Sequence, residues 1–346
     1  MLITEIDFNL PEDLIAQEPL ENRESSRMLS LNREKNTFHN DEFRAFPKFL
    51  RKGDVIVVNN TKVFPARLFG VSETSGKIEL FLVKNLEMQT WETLARPAKR
   101  LKIGKRISFG DNLNAVVLAK NEDGKVVVEF EFEGDFHSIL DEIGQTPLPP
   151  YIKREVGALD KDRNRYQTVY ASEKGAIAAP TAGLHFTPNV IEEIKSVGVT
   201  VAEITLHVGY GTFEPVRVTD LSEHKVLPEQ FEITAENAEI LNRAKQENER
   251  IIAIGTTTTR ALESTFSTSG KFLAGKQTAD LTITPTYKFN AIDGLLTNFH
   301  LPQSSLLLLV STFAGFDLTM NAYKFAVENR YRFYSYGDCM LILKGF

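Results

Sequence analysis

The apolar residues of this chain follow two spacings. Short β-branched runs, Val55 to Val58, Val199 to Leu206 and Ile251 to Ile254, predict buried strands. Longer segments keep the helical period. Thr187 can cap a helix that has Pro188 at its first position and Gly198 just past its end. Ala235 to Arg250 predicts a charged amphipathic helix. Leu306 to Ala314 predicts a buried one, begun by Pro302 and two serines and ended by Gly315. Near the start, Pro11, Glu12 and Asp13 predict the first turn of a short helix that Pro19 ends. From residue 188 onward helices and strands alternate, which predicts an α/β fold.

Between Ala66 and about Phe136 the pattern changes. Alternating segments recur at Arg67 to Val71, Lys77 to Val83, Trp91 to Ala95, Arg106 to Phe109, Ala115 to Leu118 and Lys125 to Phe130. Glycines or Asn/Asp clusters separate most of them, and no helical period intervenes. This spacing predicts a small antiparallel barrel or sandwich. The proline-stiffened Thr146 to Ile152 reads as a linker that returns the chain to the first domain. The expected division is therefore residues 1–60 plus 146–346 as one domain, with residues 61–145 inserted.

Composition narrows the class. The chain has 346 residues, enough for two domains, with 42% hydrophobic and 25% charged residues, as in an ordinary globular protein. The single cysteine, Cys339, excludes an internal disulfide and a cysteine-rich metal site and fits a reducing cytoplasm. No basic segment followed by an apolar run opens the chain, so no signal peptide is expected. The most apolar run, Leu306 to Val310, is too short to span a bilayer. A net charge of −6 argues against a basic nucleic-acid coat but leaves room for a local patch.

Such a patch exists. Ala95 to Arg106 holds Arg96, Lys99, Arg100, Lys102, Lys105 and Arg106 and no acid, which suits phosphate contact or simply a solvated hairpin. His207, Gly209 and Gly211 follow a predicted strand, where open α/β sheets bind ligands, and the loop holding His185 could reach the same place. Alternatively these glycines make a tight turn and both histidines are satisfied structural groups. Asn59, Asn60 and Thr61 follow another strand and carry the same two readings. Gly255 and Thr256 to Thr259 between strand and helix form an anion or ribose pocket, though without a P-loop lysine or a three-glycine fingerprint. Arg23 and Arg27 near Ser25 and Ser26 suit a phosphate, a carboxylate or a solvated face. Arg163, Arg165, Tyr166 and Tyr170 suit a nucleotide clamp or a helix surface. His185, His207 and His300 lack the spacing of zinc hydrolases, so no metal is expected. No G-x-S-x-G elbow exists.

Several blocks carry a resemblance. They are DFNLPEDLIAQEPL (7–20), GDVIVVNNTKVFPARLFG (53–70), RPAKRLKIG (96–104), PLPPYIKR, RYQTVYA, PTAGLHFT (180–187), TLHVGYGTFEPV (205–216), GTTTTRALE (255–263), TNFHLPQSSLLLLV (297–310) and YRFYSYGDCM (331–340). In matching order over essentially the whole chain, they resemble the signature blocks of the S-adenosylmethionine:tRNA ribosyltransferase-isomerase family of queuosine biosynthesis.

The resemblance implies an α/β domain with an inserted small antiparallel β-barrel around a large cleft. It also implies a reaction. The ribosyl part of S-adenosylmethionine moves onto the aminomethyl group of a 7-deazaguanine base in a tRNA anticodon. Adenine and methionine leave, and epoxyqueuosine remains. S-adenosylmethionine is then a co-substrate and no prosthetic group is implied. The partners are a tRNA with a queuosine-type wobble position and no membrane, and the protein is expected to be cytoplasmic and monomeric.

Such chemistry needs at least two acid–base groups poised near neutrality. His185 and His207 are expected at the centre, with His300 and Glu229 near it. Thr181, Gly183, Phe186, Gly209, Gly211, Phe213, Thr257, Arg260 and Asn298 are expected to bind the substrate. Among them Phe186 and Phe213 would face the sulfonium, or pack in the core, and Arg260 would grip the methionine carboxylate. The basic strip would hold anticodon-stem phosphates.

The chain departs from the family pattern in three places. Leu227 replaces the second histidine of H-x-M-H-x-E, Thr286 replaces a glycine and Gln303 replaces a lysine. A diverged S-adenosylmethionine-dependent enzyme with another purine or RNA substrate, or a non-catalytic tRNA-binding relative, are the alternatives.

Overall fold

The computed structural model describes residues 1–154, 160–209, 216 and 218–346, without the side chains of Arg100 and Asp160. In chain order, β1 (Arg27–Asn32) and β2 (Thr37–Glu42) form a hairpin, followed by β3 (Val55–Asn59) and β4 (Thr61–Val63). Six strands come next: β5 (Arg67–Ser72), β6 (Lys77–Glu87), β7 (Thr90–Arg96), β8 (Arg106–Ser108), β9 (Leu113–Lys120) and β10 (Val126–Phe132). Then come α1 (Phe136–Ile143), α2 (Asp160–Arg165), β11 (Glu173–Ala176), α3 (Pro188–Ser196), β12 (Thr200–Leu206) and β13 (Glu229–Ile233). The chain closes with α4 (Ala235–Gln246), β14 (Ile251–Ile254), α5 (Thr256–Ser269), β15 (Gly275–Ala279), β16 (Gly294–Asn298), α6 (Ser305–Ala314), α7 (Phe316–Glu328) and β17 (Cys339–Leu343).

A nine-stranded sheet in the order β15-β13-β12-β3-β14-β16-β17-β1-β2 forms the larger body. Its centre, β12-β3-β14-β16, is parallel, while β17 joins β16 antiparallel. The sequence runs explain this. β3, β14 and β16 are buried at every residue, as strands covered on both faces must be. Their side chains alternate between two cores. Val55, Val57 and Ala253 join the helices α4 to α7, whereas Ile56, Val58, Ile252 and Ile254 join α3 and the Phe43–Phe49 turn.

The six segments read from alternation are all strands of a closed antiparallel barrel, β10-β7-β6-β5-β8-β9. Every second residue of β7 (Trp91, Thr93, Ala95) is buried, and Val126, Val128 and Phe130 of β10 complete its core. A two-stranded ribbon of β4 and β11 lies beside it.

Some expectations change. The segment after Pro11 is a single 3₁₀ turn, Glu12–Leu14, rather than a helix running to Pro19. The amphipathic helix stops at Gln246, four residues early, before the left-handed Asn248 (φ 55°). The antiparallel strands β13 and β15 were not expected. Their sequences, EQFEI and GKQTA, carry too few apolar residues to alternate visibly. Among the described residues no single helix is long and apolar enough to cross a membrane, and α6 and α7 meet at a 118° bend.

Candidate active site

Because β12, β3, β14 and β16 run in parallel, their carboxyl ends form one edge. That edge presents His207, Asn59 to Thr61, Gly255 to Thr257, and Asn298 to His300. Across from it lie the Ala178 to Ala182 segment and the pair Tyr151 and Tyr334. Gly255 to Thr257, Asn298 to His300, Ala178 to Ala182 and the two tyrosines line a pocket of about 630 Å³, its open mouth included, with Thr181, Thr257, Asn298 and His300 in its lining. At Val208 this cavity meets a cleft of about 2350 Å³. One wall of the cleft is the barrel with the helix that follows it, through Trp91 of β7 and Phe136 and His137 of α1, and the other holds His207, Gly209, Leu227, Glu229 and Arg260.

His207 is the exposed histidine of the edge, on the cleft wall. Its Nδ1 lies 2.7 Å from Thr61 Oγ1. Gly175 lies against the ring, since a Cβ there would stand 2.6 Å from Cε1 and 2.7 Å from both nitrogens. Partial burial holds its pKa below the ordinary 6.5, with Glu173 opposing the shift. At neutral pH it is an uncharged imidazole able to accept a proton.

His185 has a different place. It is buried at the end of the Thr181–His185 turn, beneath Asn298. Asn298 Nδ2 donates to the Tyr334 carbonyl at 2.8 Å, which turns Oδ1 toward His185 Nε2 at 3.3 Å. Nε2 therefore carries the proton, and Nδ1, 2.7 Å from Ser26 Oγ, accepts from that hydroxyl. Burial lowers its pKa from 6.5 to about 4. Within this arrangement His185 holds Asn298 rather than facing the cavity. His300 lines the cavity but is also buried, with Nε2 2.9 Å from Thr297 Oγ1 and a pKa lowered by burial to about 3.

Several expected binding residues serve packing instead. Phe186 is fully buried against Phe43, Phe46 and Tyr170, so it does not reach the cavity. A Cβ on Gly183 would sit 2.0 Å from the Tyr170 hydroxyl, so this glycine serves close packing. Arg260 donates to Glu229 at 2.7 Å and to the carbonyls of Leu227, Ala279 and Leu281. Its guanidinium is committed inside the protein and is not presented to a ligand carboxylate as a two-pronged grip. Glu229, its partner, is nearly buried and lines the cleft.

Gly209 lies on the cleft wall. Gly211 and Phe213 lie outside the described residues, as does the side chain of Arg100. Of the basic strip, Arg96, Lys99 and Lys102 are exposed, Lys105 is half-buried, and Arg106 pairs with Glu131. Both early arginines are engaged within the protein. Arg23 donates to the carbonyls of Asn164, Gln167 and Leu184, and Arg27 pairs with Asp338 over Tyr331. Tyr166 is buried beside Tyr336, so of the two readings of that segment the nucleotide clamp loses its tyrosine face.

Sequence reasoning missed three groups. Tyr151 and Tyr334 put their rings at the inner cavity, 3.9 Å apart edge-to-face. Tyr334 has a left-handed backbone (φ 73°), a costly conformation that Asn298 secures through its carbonyl. Its place in a dense aromatic block was the available signal. His224 lines an adjoining pocket of about 460 Å³ with Thr257, Glu229 and Arg260. Its Nε2 is buried with no hydrogen-bond partner among the described residues, and burial, then Arg260, lowers its pKa. Among the described residues no three His, Cys, Asp or Glu side chains gather as a metal site would require.

Fold and cleft define an α/β protein with an inserted barrel, built to enclose an organic ligand at the carboxyl edge of its parallel strands. Residues 3–342 match the family described as Queuosine biosynthesis protein, and the chain belongs to that family. It is 49% identical to the S-adenosylmethionine:tRNA ribosyltransferase-isomerase of Carboxydothermus hydrogenoformans, over 99% of this chain and 100% of that one. The protein of the same name from Halothermothrix orenii is 48% identical, again over 99% and 100%. The crystal structure of the S-adenosylmethionine tRNA ribosyltransferase of Thermotoga maritima matches with a TM-score of 0.55 at 36% identity, covering 98% of this chain and 100% of that one.

Proposed function

We propose that the chain is an S-adenosylmethionine:tRNA ribosyltransferase-isomerase of queuosine biosynthesis. Its substrates are S-adenosylmethionine and a tRNA whose anticodon carries an aminomethyl-deazaguanine. The product is epoxyqueuosine, with adenine and methionine released. One observation carries the reading of the site: neighbouring parallel strands bring Thr257, Asn298 and His300 to one pocket and His207 to the wall of the cleft into which that pocket opens, a cleft large enough for a nucleoside.

The sulfonium acidifies the neighbouring ribose protons, so a base can remove one to give an ylide. Departing adenine needs a proton, and the attacking amine must be neutral. His207 is our choice for the base, because it is neutral, reachable from the cleft and held by Thr61. His224 and Glu229 are our choice for proton exchange with the leaving or attacking nitrogen, since they share the adjoining pocket. His300 and Thr257 would bind substrate as neutral hydrogen-bonding groups of the cavity. Tyr151 and Tyr334 take the task first expected of Phe186, presenting aromatic faces to the adenine or the sulfonium. Thr181, Asn298 and Gly209 would complete the binding surface, and the exposed cations of the strip would meet stem phosphates. We further read the chain as a cytoplasmic monomer without a prosthetic group, with residues 61–145 as the inserted domain.

The test is turnover. The protein is incubated with S-adenosylmethionine and an anticodon stem-loop carrying the aminomethyl base, and released adenine and nucleoside mass are followed. Matched adenine and epoxyqueuosine are expected. Absence of adenine from folded protein that binds the RNA would overturn the assignment and favour a binding-only or diverged relative.

A further inference from the structure

Behind the ribbon of β4 and β11 lies a second, polar cavity, open to solvent and about 1070 Å³ with its mouth included, lined in part by Lys62, Asp141, Arg163 and Lys174. It shares Phe64 and Lys174 with the reaction cleft. The ribbon is the partition between the two. Strand alternation sends Thr61 and Gly175 toward His207, which they touch, and sends Lys62 to the other side, while Lys174 stands at the rim that the two spaces share.

Lys62 and Lys174 are paired in register. Like charges placed side by side on one face of a sheet destabilise it. One carboxylate answers the cluster. Asp141 is 2.9 Å from Lys174 and 3.3 Å from Arg163, and among the described residues Lys62 has no ion pair. Three cations against one acid leave the cavity with an excess positive charge that the fold itself does not neutralise. Arg23, also in the lining, is occupied by three carbonyls.

We infer that this cavity binds the phosphodiester groups flanking the nucleoside that enters the cleft, with Lys62, Arg163 and Lys174 as the phosphate ligands and Asp141 as their place-holder. The inference rests on the reading of the cleft as an RNA site. The geometry suits it: a nucleotide drawn out of its stack has a phosphate on either side, and a ribbon one strand-pair wide lies between base and backbone. The cluster is separate from the strip between β7 and β8.

The probe is the anticodon stem-loop RNA, its binding followed by fluorescence anisotropy across a salt series with the full chain. Lys62→Gln, Arg163→Gln and Lys174→Gln combined should weaken binding about 10- to 100-fold at low salt. The slope of log Kd against log salt should flatten by roughly 0.7 for each single-stranded phosphate no longer neutralised. In the Lys62→Gln, Arg163→Gln double variant, which changes no residue of the cleft lining, RNA binding should still weaken while the KM for S-adenosylmethionine does not move. Asp141→Asn should do the reverse and tighten RNA binding, an effect that mere loss of a structural ion pair would not give. Lys62→Arg with Lys174→Arg should keep the slope. Wild-type slope and affinity in the triple variant would overturn the inference. A second arm titrates inorganic phosphate. Phosphate binding that the triple variant loses, without any change in RNA affinity, would assign the cavity to free anions and also overturn it. Failure of the wild-type chain to bind RNA at all would instead remove the functional reading on which the inference stands.

Discussion

His207 is held by Thr61 and flattened against Gly175, so its ring has one orientation toward the cleft. Replacing it with Gln should lower kcat by about 10²- to 10⁴-fold, the usual range for a general base. The side chain is exposed, so stability in denaturant should hardly change. Its folded-state pKa lies below 6.5, so kcat should fall as pH drops through a midpoint below that value. Glu173 raises this pKa, so Glu173→Gln should move the acid limb to still lower pH. His185 and His300 report on stability instead. Both are buried and neutral, with pKa values of about 4 and about 3 against 6.5 for an exposed histidine. Between pH 6.5 and those values the unfolded chain binds protons that the folded chain does not. Stability therefore falls as pH falls through that window, by up to about 1.4 kcal/mol per pH unit for each histidine. Urea unfolding from pH 7 to pH 4 should show this slope, and His300→Asn should remove one proton from it. Nothing in the sequence separates these three histidines, because each stands in a glycine- or proline-flanked loop. Burial separates them, and burial is set by residues far away in the chain, such as Phe43 over His185 and Tyr323 beside His300.

At the scale of elements, the sequence was most legible where one physical rule dominates. Continuous β-branched runs identify three of the four parallel strands, β3, β12 and β14, but not β16, whose GLLTN holds no such run, and period-two alternation identifies the barrel strand by strand. With the strands goes part of the position of the site, since His207 and Gly255 follow such runs, whereas Asn298 ends the unread β16. Legibility fails where a residue's task is set by a partner on another element. Arg260 sits in a helix start that suggested an anion grip. Yet β13 brings Glu229 to it, and β13 could not be read because its five residues hold only two buried positions. The pair joins α5 to β13 with little water near it. Arg260→Met would leave Glu229 nearly buried without its partner and strand three carbonyls. It should cost about 3–5 kcal/mol in chemical denaturation. Glu229→Gln, which keeps a hydrogen-bond acceptor, should cost less while still lowering kcat if Glu229 exchanges protons during turnover.

For the whole molecule, the barrel supplies one wall of the cleft with one end of β7 and carries the basic strip at the other. Trp91 lines the cleft and Arg96 ends the same strand five residues on, roughly 17 Å away at the usual rise of a strand. A phosphate bound by the strip is thus well removed from a base reacting near His207, as stem phosphates are from a loop base drawn out of its stack. The strip and the active-site edge then contribute to different steps. Changing Arg96, Lys99 and Lys102 to Gln should raise the KM for the RNA and leave the KM for S-adenosylmethionine alone. Because duplex phosphates are involved, the salt slope should fall by about 0.9 for each phosphate no longer neutralised. At saturating RNA, kcat should stay near the wild-type value, since none of these side chains lines the cleft. A fall in kcat without a change in RNA affinity would mean that the strip acts on the reacting end of the cleft, and the barrel could not then be a docking arm for the stem.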